Sequence, residues 1–368
     1  MQSFNINRFS GLSSTVLALG PESDGNFCVL RKGNIVYENG FGDLLDEENY
    51  KEYKKCLMQY LDDEKIVPDT VISDLHPFFK TTDLGEILAK QYGAKLIQIQ
   101  HHHAHIFSSV LDNMIHDSSF QLDEFVGIAS DGTGYGLDEK IWGGDVFHCT
   151  GGTISRIGSL EEQVLIGGDI SIREPARMLL SLLLKIDKSN FAWDVLKNYY
   201  PKQNFDILIK QYNQEFNCQK TTSTGRVLDA ISFLLGFCEN SREYKHQPID
   251  LLVRNSGDVL ALEPTVFFDK DLNRKVVSTS GLVKFLVENI DENKGRLAST
   301  SQLYLAKGFL QLAKGGDCLK IFFSGGMANN AIMKEYLASN DVYVNKKIPS
   351  GDKGISVGQL GCYLLNFC

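Results

Sequence analysis

The feature that most restricts the fold of this chain is a pattern of short apolar strands and turns that occurs twice. In the first copy, residues 16–19 and 27–30 flank a turn at Asp24-Gly25. In the second copy, about 110 residues later, an apolar run at residues 125–129 leads into a predicted turn at Asp131-Gly132 and then a further strand. Apolar runs separated by Asp-Gly turns are typical of antiparallel hairpins. The repeat therefore predicts a duplicated fold whose two lobes each begin with a β-meander.

The rest of the chain predicts alternating strands and helices. Between the two copies they fall at residues 71–73, 84–92, 96–99 and 101–113. The last quarter of the chain alternates in the same way, which is typical of α/β layers. We expect a first lobe over residues 1–120 and a second lobe over residues 121–368, with a helical insertion at about 173–300.

The overall charge and the cysteines limit the classes of function. The chain has 37 Lys and Arg against 46 Asp and Glu, a formal net charge of −9. This balance disfavours a broad cationic surface for nucleic acid but leaves room for a local basic groove. None of the eight cysteines forms a C-x-x-C pair, which excludes a zinc ribbon and a thioredoxin-type motif. With no signal peptide and no apolar stretch of membrane-spanning length, we expect a cytoplasmic protein with reduced thiols and no membrane partner.

Four of the eight histidines fall within one pentapeptide: His101, His102, His103 and His105. In a helix, His101 and His105 lie on one face and can offer two imidazoles to one metal. His102 and His103 point elsewhere, where they either orient a substrate or simply pack. The alternative for the whole cluster is a polar helix start with no ligand. The preceding strand places the cluster at the carboxyl edge of a sheet, where α/β proteins bind ligands.

Two acidic residues are candidates to complete a metal site. Asp131 follows an apolar strand, and Asp352 lies just before the last predicted helix. Each alone is also explained as a turn former or a helix cap. With His101 and His105 they would form a set of two imidazoles and two carboxylates, which suits Fe or Zn. The spacing alone does not establish that the four residues converge.

Glycine-rich loops follow several predicted strands. They are Ser324-Gly325-Gly326, Asp131-Gly132-Thr133-Gly134 and Gly167-Gly168-Asp169, the last of which is followed by Arg173. Such loops expose backbone N–H groups and suit a phosphate or a nucleotide held between two lobes. An arginine beside them can pair with a carboxylate or a phosphate through two hydrogen bonds. Each loop taken singly is more often a tight turn than a phosphate site.

Read in order, these motifs resemble the C-terminal half of the HypF-type carbamoyltransferases, which are hydrogenase maturation factors. The matching pieces are Asp74-Leu75-His76-Pro77, Gln100-His101-His102-His103-Ala104-His105, the stretch 127–134, Trp142-Gly143-Gly144-Asp145, Gly167-Gly168-Asp169, Arg173-Glu174-Pro175-Ala176-Arg177, the stretch 223–230, Ser324-Gly325-Gly326 with Asn330, and Gly351-Asp352-Lys353-Gly354. They are collinear from about residue 14 to residue 365 and so span nearly the whole chain.

The resemblance implies an actin-like, sugar-kinase-like ATPase fold with two lobes, related to the TsaD-type enzymes. It implies metal ligands at His101, His105, Asp131 and Asp352. It implies nucleotide contacts at Gly132, Thr133, Gly134, Gly167, Gly168, Asp169, Gly225, Asp229, Gly325, Gly326 and Asn330. We assign Arg173 and His102 as candidate catalytic residues. The expected cofactors are a divalent metal, Fe or Zn with Mg as a further candidate, and ATP or carbamoyl-adenylate.

The resemblance also implies a reaction and its partners. In the family, a YrdC-like domain makes carbamoyl-adenylate, and the TsaD-like half transfers the carbamoyl group to the C-terminal cysteine of HypE. The acylphosphatase-like, zinc-binding and YrdC-like parts have no counterpart in these 368 residues, so we expect a YrdC-like protein to act in trans and a HypE-like protein to be the acceptor. Two alternatives remain: an O-carbamoyltransferase for a small-molecule hydroxyl, and a non-catalytic nucleotide-binding regulator. We do not expect tRNA to be the acceptor.

Two stretches depart from the family pattern. The family's Tyr-Glu-Gly-Gln-Ala-Ala corresponds here to Tyr244-Lys245-His246-Gln247-Pro248-Ile249, which replaces an acid by a base. The family's Phe-His in a late helix corresponds to Ser301-Gln302. Both departures concern the pocket for the carbamoyl group or the acceptor, whereas the metal and nucleotide motifs are intact.

Overall fold

The computed structural model describes residues 1–6, 9, 11–117, 120, 122–314 and 319–367. The first half contains β1 (Gln2–Asn5), β2 (Val16–Ala18), β3 (Asn26–Arg31), β4 (Asn34–Asn39), α1 (Glu47–Asp63), β5 (Thr70–Asp74), α2 (Lys80–Tyr92), β6 (Lys95–Ile99) and α3 (His101–His116). Strands β2, β3 and β4 are the predicted meander. The turn Lys32-Gly33 has positive φ at both residues, 51° and 77°, which is the two-residue hairpin turn that Gly favours.

The second half begins with β7 (Glu124–Tyr135), β8 (Ile141–Thr150), β9 (Thr153–Leu160), β10 (Gln163–Ile166), α4 (Ile170–Arg173), α5 (Pro175–Lys185), α6 (Ser189–Leu196), α7 (Lys202–Gln214), β11 (Cys218–Thr221), α8 (Thr224–Leu234) and α9 (Gln247–Arg254). It continues with β12 (Val266–Asp269), β13 (Arg274–Val277), α10 (Thr279–Glu288), α11 (Lys294–Ala313), β14 (Lys320–Ser324), α12 (Ala331–Ala338), β15 (Val342–Val344) and α13 (Ile355–Leu364).

The two sheets share one topology, and this confirms the duplicated α/β fold. The first sheet has the order β1-β4-β3-β2-β5-β6, and the second has the path β12-β13-β9-β8-β7-β14-β15. In each sheet an antiparallel meander is followed by two parallel strands, since β2 pairs parallel with β5 as β7 does with β14. The strand order β4-β3-β2-β5-β6 therefore repeats as β9-β8-β7-β14-β15.

The structure corrects two predictions made from the sequence pattern. Asp131-Gly132 is not a turn, because β7 continues to Tyr135 and its pairing with β8 shifts register between Ser130 and Gly134. The chain reverses later, where Gly136 N–H donates to the carbonyl of Lys140. The insertion at 173–300 is not wholly helical, because it contains β11, β12 and β13, and β13 extends the second sheet beside β9.

The end of the chain packs back onto the first lobe. Helix α13 lies against α3 and contacts β2, β3 and β5. The two helices cross closely, since a Cβ added at Gly358 would lie 1.7 Å from the carbonyl oxygen of Ala104. A boundary at residue 120 thus remains a prediction, because α13 belongs to the second half in sequence but contacts the first lobe. The crossing brings the residues before α13 to the start of α3.

The structure also bears on the predictions about membrane-spanning segments and cysteine thiols. Within the described residues, no helix is both long and apolar enough to cross a membrane. The thiols of Cys28 and Cys149 are buried, and burial raises the pKa of Cys149 to about 12, which makes it unreactive as a nucleophile. Cys318 and Cys368 lie outside the described residues.

Candidate functional site

The four predicted metal ligands converge at the junction of the lobes. His101 and His105 lie one turn apart on α3, which begins directly after β6 and is capped by the Gln100 side chain accepting from His103 N–H at 3.0 Å. Asp131 lies where β7 shifts register, and Asp352 lies in a 3-10 turn directly before α13. One ligand atom from each of the four residues lies within 4.8 Å of all the others. The helix crossing of α3 and α13 is what joins His105 to Asp352.

The geometry of this set is that of a closed cluster of ligand atoms. His101 Nε2 lies 3.6 Å from Asp131 Oδ2 and 3.4 Å from Asp352 Oδ1. His105 Nε2 lies 3.5 Å from each of the same two oxygens. Neither His105 nitrogen nor Asp352 Oδ1 makes a hydrogen bond with any described residue. Buried polar atoms without a partner are costly unless a ligand satisfies them, so the cluster has the features of a cation site.

Asp74 contacts the candidate metal ligand His101, and the sequence analysis quoted it only as part of a motif. His101 Nδ1 lies 2.8 Å from Asp74 Oδ2, and the carboxylate is 1% exposed. This contact fixes the imidazole so that Nε2 faces Asp131 and Asp352, as a carboxylate behind a metal-binding histidine does. The signal in the sequence was its place at the end of β5, at the same sheet edge as the start of α3.

The charges of the cluster compensate one another. Burial by itself would lower the pKa of His101, but Asp74, Asp131 and Asp352 hold it well above its usual value. Burial would raise the pKa of Asp131, but the nearby imidazoles of His101 and His105 hold it well below its usual range. The carboxylates therefore remain ionised and attract positive charge to the point between the four side chains.

A cavity of about 550 Å³ has walls from both lobes. It opens onto the four candidate metal ligands His101, His105, Asp131 and Asp352, which we call the metal set. The first lobe contributes Glu22, Ser23, Asp24, Asp43, Leu45, Phe79 and His101. The second half of the chain contributes Asp131, Gly132, Thr133, Ile172, Arg226, Arg242, Lys245, His246, Ile249, Asp250, Val253, Arg254, Gly326, Met327, Asn329, Asn330, Gly351 and Asp352. A cleft between two lobes at the ends of parallel strands is where α/β folds bind ligands.

The structure brings four of the predicted nucleotide contacts to this cavity and leaves the others outside its lining. Those at the cavity are Gly132, Thr133, Gly326 and Asn330. Those outside the lining are Gly134, Gly167, Gly168, Asp169, Gly225, Asp229 and Gly325. Their assignment as contacts stays a prediction from the resemblance.

Three of these glycines have a packing reason instead. A Cβ at Gly134 would lie 2.4 Å from the His102 ring, and one at Gly225 would lie 2.9 Å from Gly132 Cα. Gly325 has φ of 107° and lies against the carbonyl oxygen of Ser130, where a Cβ would come within 2.3 Å. This close approach lets Gly326 N–H donate to Asp131 Oδ1 at 3.0 Å. The glycines thus allow the backbone to hold Asp131 in place.

Neither candidate catalytic residue lines the cavity. Arg173 is exposed at the end of α4. His102 is fully buried, with its Nδ1 3.1 Å from Gln100 Nε2 and its ring centroid 6.3 Å from that of Trp142. The structure thus supports the packing alternative for His102, and burial lowers its pKa well below the usual value. The catalytic assignment of both residues stays a prediction.

The sequence analysis did not single out Arg226 and Arg242, two basic residues that line the cavity. Arg226 and Arg242 both reach Asp229 Oδ2, at 2.9 and 2.8 Å. Lys245, the base in the departing stretch, lies with Nζ 3.1 Å from Asp352 Oδ2 and also donates to Ser23 Oγ. The other departure, Gln302, is buried and accepts from Asn330 Nδ2 at 2.7 Å. Gln302 therefore positions the helix cap Asn330 rather than entering the cavity.

Comparison with known proteins identifies the family. Residues 127–359 match the family described as "Carbamoyltransferase, Kae1-like Domain, second subdomain", and residues 12–112 match the "HypF Kae1-like domain". The chain belongs to the HypF-type carbamoyltransferase family. This confirms the resemblance inferred from the order of the motifs.

Individual HypF proteins align with nearly the whole chain. It is 32% identical to the probable carbamoyltransferase HypF of Methanocaldococcus jannaschii, with 98% of this chain and 47% of that protein covered. It is 26% identical to the carbamoyltransferase HypF homolog of Cupriavidus necator, where the coverage is 94% and 90%. The chain thus spans about half the length of the archaeal HypF and most of the length of the Cupriavidus homolog.

Solved HypF structures share the fold. HypF of T. kodakarensis superposes with a TM-score of 0.84 at 26% identity, covering 99% of this chain and 49% of that one. Full-length HypF in its phosphate- and nucleotide-bound form superposes with a TM-score of 0.87 at 24% identity, covering 98% of this chain and 56% of that one. The likeness confirms the two-lobed, ATPase-like α/β fold.

Proposed function

We propose that this chain transfers a carbamoyl group from carbamoyl-adenylate to an acceptor. The observation that supports the proposal is the convergence of His101, His105, Asp131 and Asp352 at a cavity shared by both lobes, in a chain of the HypF-type carbamoyltransferase family. A nucleotide-binding regulator would have no need for a buried set of four ligands.

The four side chains fit a divalent metal. Two imidazoles and two carboxylates suit Fe or Zn, whereas Mg prefers oxygen ligands throughout. Asp74 would hold His101 in the orientation that metal binding needs. A bound metal would supply Lewis-acid chemistry, polarising the carbonyl of the carbamoyl group.

The residues of the chain would bind and orient the reactants. Carbamoyl-adenylate is a mixed anhydride that is already activated, so the protein needs no covalent nucleophile of its own. The acceptor sulfur or oxygen attacks the carbamoyl carbon and loses its proton to solvent. The C–O bond of the anhydride breaks, and the bridging oxygen leaves as part of the AMP phosphate. Gly132, Thr133 and Gly326 line the cavity and let the nucleotide approach the backbone closely, so positioning of the two reactants provides much of the rate.

A cation beside the metal set favours an anionic acceptor. Lys245 lines the cavity, and its Nζ lies 3.1 Å from Asp352 Oδ2; a positive group stabilises a thiolate more than a neutral hydroxyl. We therefore expect the C-terminal cysteine of a HypE-like protein as acceptor in preference to a small-molecule hydroxyl. Carbamoyl-adenylate would come from a separate YrdC-like protein.

A reconstituted transfer assay tests the proposal. The chain is incubated with ATP, carbamoyl phosphate and a YrdC-like protein, together with either a Cys-terminated peptide, its Ser-terminated counterpart or a small alcohol. We expect the Cys peptide to gain one carbamoyl group by mass spectrometry, and the variant His105→Ala to abolish that gain. Transfer only to an alcohol would redirect the proposal to O-carbamoylation, and transfer to no acceptor would reject it.

A further inference from the structure

Arg226 is a buried cation at the cavity wall with unused hydrogen-bonding capacity. It lies in the first turn of α8, is 5% exposed and lines the cavity. Its Nη2 lies 2.9 Å from Asp229 Oδ2, and its Nη1 donates to the carbonyl of Ile172 at 3.1 Å. Its Nε makes no hydrogen bond with any described residue. A buried donor of this kind is costly unless a ligand reaches it.

Arg242 approaches the same carboxylate from the segment between α8 and α9. Its Nη2 donates to Asp229 Oδ2 at 2.8 Å, its Nη1 donates to the carbonyl of Lys245 at 2.9 Å, and its buried Nε has no partner among the described residues. Two guanidinium groups thus share one oxygen of one carboxylate. The two arginines and Asp229 together carry a net charge of +1. Burial and the neighbouring Arg242 lower the pKa of Arg226, and Asp229 offsets only part of this shift.

The position of the pair selects the kind of anion. Arg226 lies close to the metal set, since a Cβ on Gly132, the residue after Asp131, would be 3.6 Å from Arg226 Nη2. Three acidic residues of the cavity, Glu22, Asp24 and Asp43, come from the first lobe, whereas Asp131, Asp250 and Asp352 come from the second half of the chain. A planar fork of guanidinium donors beside a metal set suits the non-bridging oxygens of a phosphate.

We propose that Arg226 and Arg242, oriented by Asp229, bind the phosphate group of the adenylate ligand in this cavity. Asp229 then acts as a positioning residue behind the two arginines and does not itself contact the nucleotide. The inference rests on the proposed function for the identity of the nucleotide, but it concerns binding and needs no turnover.

The test compares AMP with adenosine, which differ only by the phosphate. Binding of each is measured by calorimetry to the intact chain after removal of metal with a chelator, so that no metal–phosphate contact contributes. We expect the unaltered chain to prefer AMP, and Arg242→Gln to reduce that preference about tenfold, the loss of one charge-assisted hydrogen-bonding group. Arg242→Lys should restore part of it. Arg177→Gln is the matched control, because Arg177 is also paired with a carboxylate, Glu174 at 2.6 Å, but lies outside the cavity lining.

Arg226→Gln provides a second, independent variant. Because Arg226 is buried, the thermal unfolding of the Arg226→Gln variant is also recorded. Its preference for AMP is compared with that of the unaltered chain only if the variant is folded. An equal loss of AMP and adenosine affinity in Arg242→Gln, an unchanged preference for AMP, or no AMP binding by the unaltered chain would overturn the inference. The two proposals can fail separately. If the chain prefers AMP through Arg242 but transfers no carbamoyl group, the proposed function is rejected and this inference stands.

Discussion

The metal set and the cationic wall of the cavity, formed by Arg226, Arg242 and Lys245, are built in opposite ways. The metal set projects from a helix, from β7 and from a turn at the start of α13, and its side chains are nearly all buried. Two of the three cations of the wall lie in the irregular segment between α8 and α9. The two regions meet at the contact between Lys245 and Asp352. A candidate cation site held largely by regular elements therefore faces a candidate anion site that lies mostly in an irregular segment.

The largest effect should come from removing an imidazole of the metal set. His105→Ala should lower the affinity for Fe or Zn by more than about 100-fold, because it deletes one of four ligands rather than a supporting contact. Metal content after dialysis, measured by mass spectrometry, checks this. His103→Ala is the matched control, because His103 lies on the same helix but faces Phe147, with ring centroids 5.1 Å apart. Equal metal retention by both variants would contradict the assignment.

A smaller effect should follow from weakening the support of the same set. Asp74→Asn keeps the shape of the side chain but removes the charge behind His101, and loss of such a contact typically costs 10- to 100-fold in metal affinity. Titration with zinc against a competing chelator measures the change. Asp83→Asn, on the exposed face of α2, should leave the affinity unchanged. If Asp74→Asn also leaves it unchanged, His101 is not held for a metal by Asp74.

Removing the contact between the two regions should change metal affinity less, and should raise it rather than lower it. Lys245 is 53% exposed and pairs with Asp352 at 3.1 Å, so it competes with a metal cation for this carboxylate. Lys245→Gln should therefore raise zinc affinity by up to about fivefold, since exposed ion pairs contribute about 1 kcal/mol or less. The gain should shrink at high salt, and Lys245→Arg should show no gain. A loss of affinity in Lys245→Gln would show that Lys245 orients Asp352 instead.

The contrast also separates what the sequence could predict from what it could not. The antiparallel meander at the start of each lobe followed from local turn and strand patterns, apart from the turn expected at Asp131-Gly132, and the pair His101 and His105 followed from helical spacing. The convergence of Asp352 with them depends on the crossing of α13 over α3, a contact between residues about 250 positions apart. The meeting of Arg226 and Arg242 at the cavity also depends on the fold. The resemblance implied a nucleotide contact at Asp229, which stays a prediction, and only the folded chain shows that both arginines pair with it.

The smallest effect is expected for Arg173, which the sequence placed beside the phosphate. It is exposed at the end of α4 and outside the cavity lining, so Arg173→Gln should change AMP affinity and zinc affinity by less than about twofold, as exposed charges commonly do. Calorimetry under the conditions used for Arg242→Gln gives the direct comparison. A loss as large as that of Arg242→Gln would mean that Arg173 turns towards the phosphate when the nucleotide binds, since its neighbour Ile172 already lines the cavity. The loss of AMP affinity in Arg173→Gln, divided by that in Arg242→Gln, therefore shows whether the cationic wall already contains all of its phosphate contacts or gains Arg173 when the nucleotide binds.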